Sequence, residues 1–198
     1  MVDLRALYKK HAAQFDAVRI RSSMEAPYLR EVSRLVGGEG SVLDVGCGSS
    51  EPIARHFIER GFRVTGYDFS DEMLAIARER FPEMEWILGD MRELALGRAF
   101  DVVIAWDSFF HLAPEDQRTM FPRFRDHVRP GGALLFTSGT EEGASVGGDL
   151  FGDELFHGSL STAEYRDQLD AHGFEVVSHR IEDPDCGGHT VWIARRVE

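Results

Sequence analysis

Several protein classes are excluded by what this chain lacks. It has two cysteines in 198 residues, Cys47 and Cys186, so it carries neither a disulfide framework nor a Cys/His metal spacing, and a reducing, cytoplasmic setting is expected. No run of about 18 uncharged apolar residues occurs, which leaves no candidate membrane-spanning helix. The opening MVDLRALYKKHAAQFD spreads charges along its length and has no apolar core, unlike a secretory signal. Basic residues are few, 22 Lys and Arg against 34 Asp and Glu, for a net charge of −12. The imbalance is uneven: residues 1–34 hold seven basic and four acidic side chains, whereas Gly139 to Asp185 holds twelve acids against Arg166 and Arg180. Nucleic-acid binding depends on clustered Lys and Arg that neutralise phosphates, so DNA and RNA are excluded as partners and the acidity reads as solubility. A pair of close carboxylates, a nucleophile elbow and a phosphate-binding Lys followed by Ser or Thr are also missing. With 43% hydrophobic residues, the length suits one domain with a full core.

What the chain does have is a glycine turn. In Ser41 to Ser50, SVLDVGCGSS, a short apolar run breaks into glycines and then into Pro52-Ile53-Ala54-Arg55, which predicts a strand, a tight loop and a helix. Gly46 and Gly48 let a ligand approach the backbone where a Cβ would collide, beside the unpaired N–H groups of a helix start. A dinucleotide fingerprint requires a third small residue where Glu51 stands, and a carboxylate there would repel a pyrophosphate, which disfavours a nicotinamide oxidoreductase. The Asp44-Val45-Gly46-Cys47-Gly48 core resembles instead the first motif of the class I S-adenosylmethionine-dependent methyltransferases, with Ser50 where that family often has a further glycine. The resemblance implies that this loop cradles the methionine end of S-adenosylmethionine through Asp44, Gly46, Cys47 and Gly48, with S-adenosylhomocysteine as product.

The strands that follow extend the pattern. Arg63 to Tyr67 predicts a second strand ending on Asp68, about 20 residues past the glycine turn, where a carboxylate at a parallel strand end reaches two vicinal ribose hydroxyls. Phe69 and Met73 stand where they can flank an adenine ring, and Ser70 caps the helix through Phe81. Glu85 to Leu88 predicts a third strand that delivers Asp90 and Met91 to the same edge, and by the same resemblance Gly89-Asp90-Met91 is the adenine-reading position. Phe100 to Trp106, FDVVIAW, is apolar enough to be buried on both faces, and it hands Trp106 to the cofactor and Asp107, Phe110 and His111 to the substrate side. A helix from Pro114 and the turn Arg129-Pro130-Gly131-Gly132, which also resembles the family, lead into a fifth strand, Ala133 to Thr137.

Outside this core, Leu4, Leu7, Tyr8, Ala12, Phe15 and Val18 recur at helical spacing, so residues 1–38 are expected to be a helical cap, divided at Pro27. Tyr8, Phe15 and Tyr28 are candidate ligand contacts, and Arg19 or Arg21 would suit a carboxylate substrate. Residues 139–160 are too long for an ordinary connection and, with Leu150, Phe151, Leu155 and Phe156, are expected to be a lid that packs and that offers His157 to the substrate. Ser161 and Glu164 predict a capping box, and residues 161–198 a helix followed by strands Phe174 to Ile181 and His189 to Arg195 joined by a hairpin. The expected architecture is an α/β, Rossmann-like, doubly wound seven-stranded sheet with an antiparallel last strand, residues 41–138 forming the cofactor-binding core of one domain.

The function expected is methyl transfer to a small molecule, without metal. His111 is the candidate general base, and a histidine packed in a helix-entry loop is the alternative. His189 is a lesser candidate from the hairpin. A non-catalytic module that senses S-adenosylmethionine fits the same residues, and the sequence sets neither the acceptor nor an oligomeric state.

Overall fold

The computed structural model describes residues 4–18 and 23–197, excepting the side chains of residues 23, 148 and 149, so Arg19 and Arg21 lie outside the described residues. Helix α1 (Leu4–Val18) precedes α2 (Ala26–Leu35), in whose first turn Pro27 sits, a position where its missing N–H is one of the helix's unpaired donors anyway. Pro27 thus starts a helix, and the break between the two helices comes before it.

Seven strands form the main sheet: β1 (Ser41–Val45), β2 (Arg63–Asp68), β3 (Glu85–Leu88), β4 (Phe100–Ala105), β5 (Val128–Ser138), β8 (Phe174–Asp183) and β9 (His189–Arg196). Their order is β3-β2-β1-β4-β5-β9-β8, parallel from β3 to β5, with β9 antiparallel to both neighbours. Alternate residues of the apolar strands serve opposite cores, as the period of two requires. Val42, Ile104 and Ile193 pack against α2, α3 (Ile53–Ile58) and α4 (Asp71–Arg80) through Leu29, Phe57 and Leu74. Leu43, Val103 and Trp192 pack on the other face against α5 (Pro114–His127) and α6 (Thr162–Ala171) through Phe121, Phe124, Tyr165 and Leu169. Burial on both faces explains why β4 reads as an unbroken apolar run. Among the described residues no helix is long and apolar enough to cross a membrane.

Three segments depart from expectation. Arg129 to Gly132 belongs to β5 as an irregularity between the pairs Phe100–Val128 and Val102–Ala133, with Gly131 at φ 76°. Residues 139–160 contain an antiparallel hairpin, β6 (Gly143–Leu150) and β7 (Asp153–Ser159), separate from the main sheet. Its glycines interrupt the alternation that marks a strand, so the segment reads as loop. The Ser161 side chain accepts from Glu164 N, but the Glu164 carboxylate turns to Arg118, at 2.5 and 3.0 Å, instead of completing a capping box.

Candidate functional site

Because β1 to β4 run parallel, their carboxyl ends share one edge, and a cavity of about 1160 Å³ opens there. The cavity brings together Asp44, Gly46, Cys47, Gly48, Asp68, Phe69, Met73, Asp90, Met91, Trp106, Asp107, His111 and Tyr8. Helix α1 roofs it with Leu4, Arg5, Tyr8 and Phe15, and the hairpin adds Ala144 and Phe156. Phe110 and His157 line a smaller cavity of about 510 Å³ behind the hairpin. Tyr28 lies outside both cavities, its hydroxyl donated to Asp183.

The glycine loop has two kinds of glycine. At Gly46 (φ 76°) a Cβ would lie 2.3 Å from Ser108 Cβ, because Ser108 is drawn in by donating to Val45 O at 2.7 Å. Gly46 is therefore required by the β4–α5 loop behind it. Gly48 (φ 51°) faces open space, and a Cβ there would meet no protein atom within 4 Å, so a ligand can approach its backbone. Cys47 contributes backbone to the wall, while its thiol packs toward Gly66 beside the Trp86 ring, where burial pushes its pKa well up. Overpacking typically costs about 1–3 kcal/mol and a left-handed Ala a further 1–2 or so. Gly46→Ala is thus expected to destabilise by roughly 2–5 kcal/mol in a urea melt, with the packing part restored by Ser108→Gly. A Gly46→Ala midpoint equal to wild type contradicts the packing account.

Each strand-end acid is already engaged. Asp68 accepts from Gly48 N and Ser70 N, one on each carboxylate oxygen, both at 2.8 Å. Burial raises its pKa against the pull of those N–H groups. The backbone N–H groups of Gly48, Ser70 and Phe69 act on a carboxylate that has about four lone-pair sites, so its acceptor capacity is not exhausted. Asp90 is held by Arg92, through the backbone N at 2.9 Å and the guanidinium at 3.0 and 2.6 Å, and the pairing lowers its pKa. Asp44 is buried at the end of β1. Glu51 is neutralised beneath the loop by Arg55 and by Arg80 Nε at 3.7 Å, so its obstacle to a pyrophosphate is bulk more than charge. Trp106 Nε1 is buried with no hydrogen-bond partner among the described residues and belongs to the cavity wall. Buried N–H groups are almost always paired, which makes this donor an exception.

At the far end of the cavity His111 is fixed on two sides. Its Nδ1 lies 2.8 Å from Phe156 O, and since a carbonyl only accepts, Nδ1 carries the proton and Nε2 is left with its lone pair, 3.4 Å from Tyr8 Oη. Burial lowers the pKa of His111, opposed by the bond to Phe156. Its ring is 5.1 Å from that of His157, which stacks on Phe110 at 5.3 Å and is also pushed down by burial. Beside it Asp107 occupies a left-handed conformation (φ 48°), paired with His189 Nε2 at 2.8 Å, and this partner raises the His189 pKa. His189 Nδ1 meets Cys186 O at 2.6 Å, so His189 holds Asp107 from behind and does not reach the cavity. The sequence gives no signal for this pair or for Ser108, because strand ends 60 to 80 or so residues apart meet only through the sheet order.

Residues 42–132 match the methyltransferase domain family. The chain is 38% identical over 96 residues to trans-aconitate 2-methyltransferase of Azoarcus, covering 48% of this chain and 37% of that protein. It is 39% identical over 97 residues to the dTDP-3-amino-3,6-dideoxy-alpha-D-glucopyranose N,N-dimethyltransferase of Streptomyces fradiae, covering 48% and 38%. It thus spans about two fifths of the length of these curated relatives. Among solved structures, Burkholderia thailandensis 1,6-didemethyltoxoflavin-N1-methyltransferase superposes with a TM-score of 0.76 at 21% identity, over 98% of this chain and 88% of that one. The CcbJ methyltransferase of Streptomyces caelestis does so at 0.78 and 18%, over the whole of both chains. The domain match, over a little under half of the chain, and the superposed structures agree on one conclusion: this chain has the seven-stranded fold of those methyltransferases, and its residues 42–132 resemble a methyltransferase domain.

Proposed function

We propose that the chain binds S-adenosylmethionine in this cavity and transfers its methyl group to a small-molecule acceptor held beside His111. The observation that carries the reading is the convergence of the Gly46–Ser50 loop, Asp68, Asp90 and a neutral His111 on one cavity. Cavities for a single ligand run to roughly 300–1000 Å³, so about 1160 Å³ leaves room for a cofactor and a modest acceptor. When bound, S-adenosylmethionine supplies an electrophilic methyl group on a sulfonium.

The chain's own residues would do the rest. Asp44 and the backbone of Gly46, Cys47 and Gly48 would hold the amino acid end, Asp68 the ribose hydroxyls, Phe69 and Met73 the faces of the adenine, and Asp90 with Met91 N–H its edge. Trp106 Nε1 is a further donor at the junction with the acceptor. Alignment of nucleophile and methyl in a dry pocket supplies up to about 7–11 kcal/mol, and α1 with the hairpin would exclude water as cap and lid. His111 Nε2 takes the proton of an O–H or N–H acceptor, and Tyr8 and Asp107 orient it. Phe110 and His157 back the His111 ring. The relatives' names, a trans-aconitate methyltransferase and an amino-sugar dimethyltransferase, support small acceptors of differing chemistry.

A purely sensing module is separated by turnover. Incubated with methyl-tritiated S-adenosylmethionine and a small-metabolite extract, the protein is expected to move label into an acid-soluble product. Cofactor binding with no labelled product would instead favour the sensing role.

A further inference from the structure

Arg80, in the last turn of α4, is used by none of the contacts proposed above, yet it touches three residues around the cavity, Asp16, Ser49 and Glu51. Its Nη1 donates to Asp16 Oδ1 of α1 at 3.1 Å and to Ser49 O of the glycine loop at 2.8 Å. Nη2 donates to Asp16 Oδ2 at 2.9 Å, and Nε lies 3.7 Å from Glu51 Oε1. Both partners of the Asp16–Arg80 pair are largely shielded, at 16% and 19% side-chain exposure respectively, so the pair escapes most of the screening that weakens surface bridges. Of the fifteen residues of α1 only His11 and Ala12 are buried; Lys10 and His11 also tie it to Asp153 on the hairpin, Lys9 to Glu72, Tyr8 to His111 and Phe69, and His11 to Phe151.

From this geometry we infer that Arg80 is a positioning residue that couples closure of the α1 roof to occupation of the glycine loop. The inference rests on the cofactor reading above. A guanidinium is planar and presents its donors in a fixed fork, so a displacement of Asp16 tilts the plane and withdraws the donor from Ser49 O. Conversely, a ligand that fixes Ser49 and its neighbours fixes the fork that receives Asp16. The roof then swings in with Tyr8 and Phe15, which line the cavity. Coupling of this kind is reciprocal, so a roof that cannot dock must weaken the ligand in the loop by the same factor.

The test is S-adenosylhomocysteine binding by calorimetry, with hydrogen exchange on the same proteins. In wild type, saturation is expected to protect amides in both 46–50 and 4–18. Asp16→Asn leaves the loop and Arg80 in place; it is expected to weaken binding about 5- to 20-fold, to keep the loop protection and to lose that of α1. Arg80→Gln is expected to weaken binding at least as much, the double variant no more than Arg80→Gln alone, and Arg80→Lys, which keeps the charge without the fork, to fail to restore it. A structural role alone lowers thermal stability without uncoupling the two protections. Asp16→Asn with wild-type affinity, or with ligand-dependent protection of α1 intact, overturns the coupling. A wild-type protein that binds no S-adenosylhomocysteine overturns the cofactor reading and the coupling with it.

Discussion

His111→Ala is expected to lower kcat roughly a hundred- to ten-thousandfold on an O–H or N–H acceptor, with S-adenosylhomocysteine affinity little changed, since general-base catalysis contributes about that much. The reason is the tautomer. With Nδ1–H committed to Phe156 O, the only ring atom able to take a proton is Nε2, which faces Tyr8 and the cavity. His111→Gln, which keeps a donor for Phe156 O but no basic nitrogen, should be as slow as Ala. Burial also sets the pH dependence. The base works neutral and its pKa is lowered, so activity is lost as pH falls through a value below the usual histidine pKa of about 6.5. Normal turnover in both variants would remove His111 from the chemistry and leave it a packed loop residue.

Asp68→Ala carries the second large effect, on binding. A charge-assisted hydrogen bond contributes about 1.5–3 kcal/mol, so affinity for S-adenosylhomocysteine should fall about ten- to a hundredfold. Stability should fall as well, because Gly48 N and Ser70 N lose their acceptor, and a buried unpaired donor costs roughly 1–3 kcal/mol. The two effects are separable with a 2′,3′-dideoxy analogue of the ligand. If Asp68 meets the ribose, wild type discriminates between ligand and analogue and Asp68→Ala does not. Equal discrimination by both proteins would confine Asp68 to shaping the loop.

Local patterns encode which backbone positions reach the ligand edge, and they encode little about where side chains turn once there. The apolar runs at 41–45 and 100–105, the acid about 20 residues past the glycine turn, and the antiparallel end of the sheet follow from periodicity and connection length. The Ser70 cap is likewise local, its hydroxyl accepting from Met73 N at 3.3 Å. What stayed hidden is long-range. The Cys47 thiol turns inward because Gly66, nineteen residues on, leaves space for it beside Trp86. Gly46 answers to Ser108, His189 to Asp107, and Arg80 to Asp16, pairs that no sequence window contains. Asp90 is a milder case, since the Arg92 that holds it is two residues away, yet nothing in Asp-Met-Arg shows that the guanidinium folds back.

The most direct measurement is isothermal titration of the wild-type protein with S-adenosylhomocysteine, repeated with NADH. Saturable binding at one site per chain, with no heat from NADH, is the predicted result. No binding of S-adenosylhomocysteine up to millimolar concentration, or NADH bound in competition with it, would contradict the account.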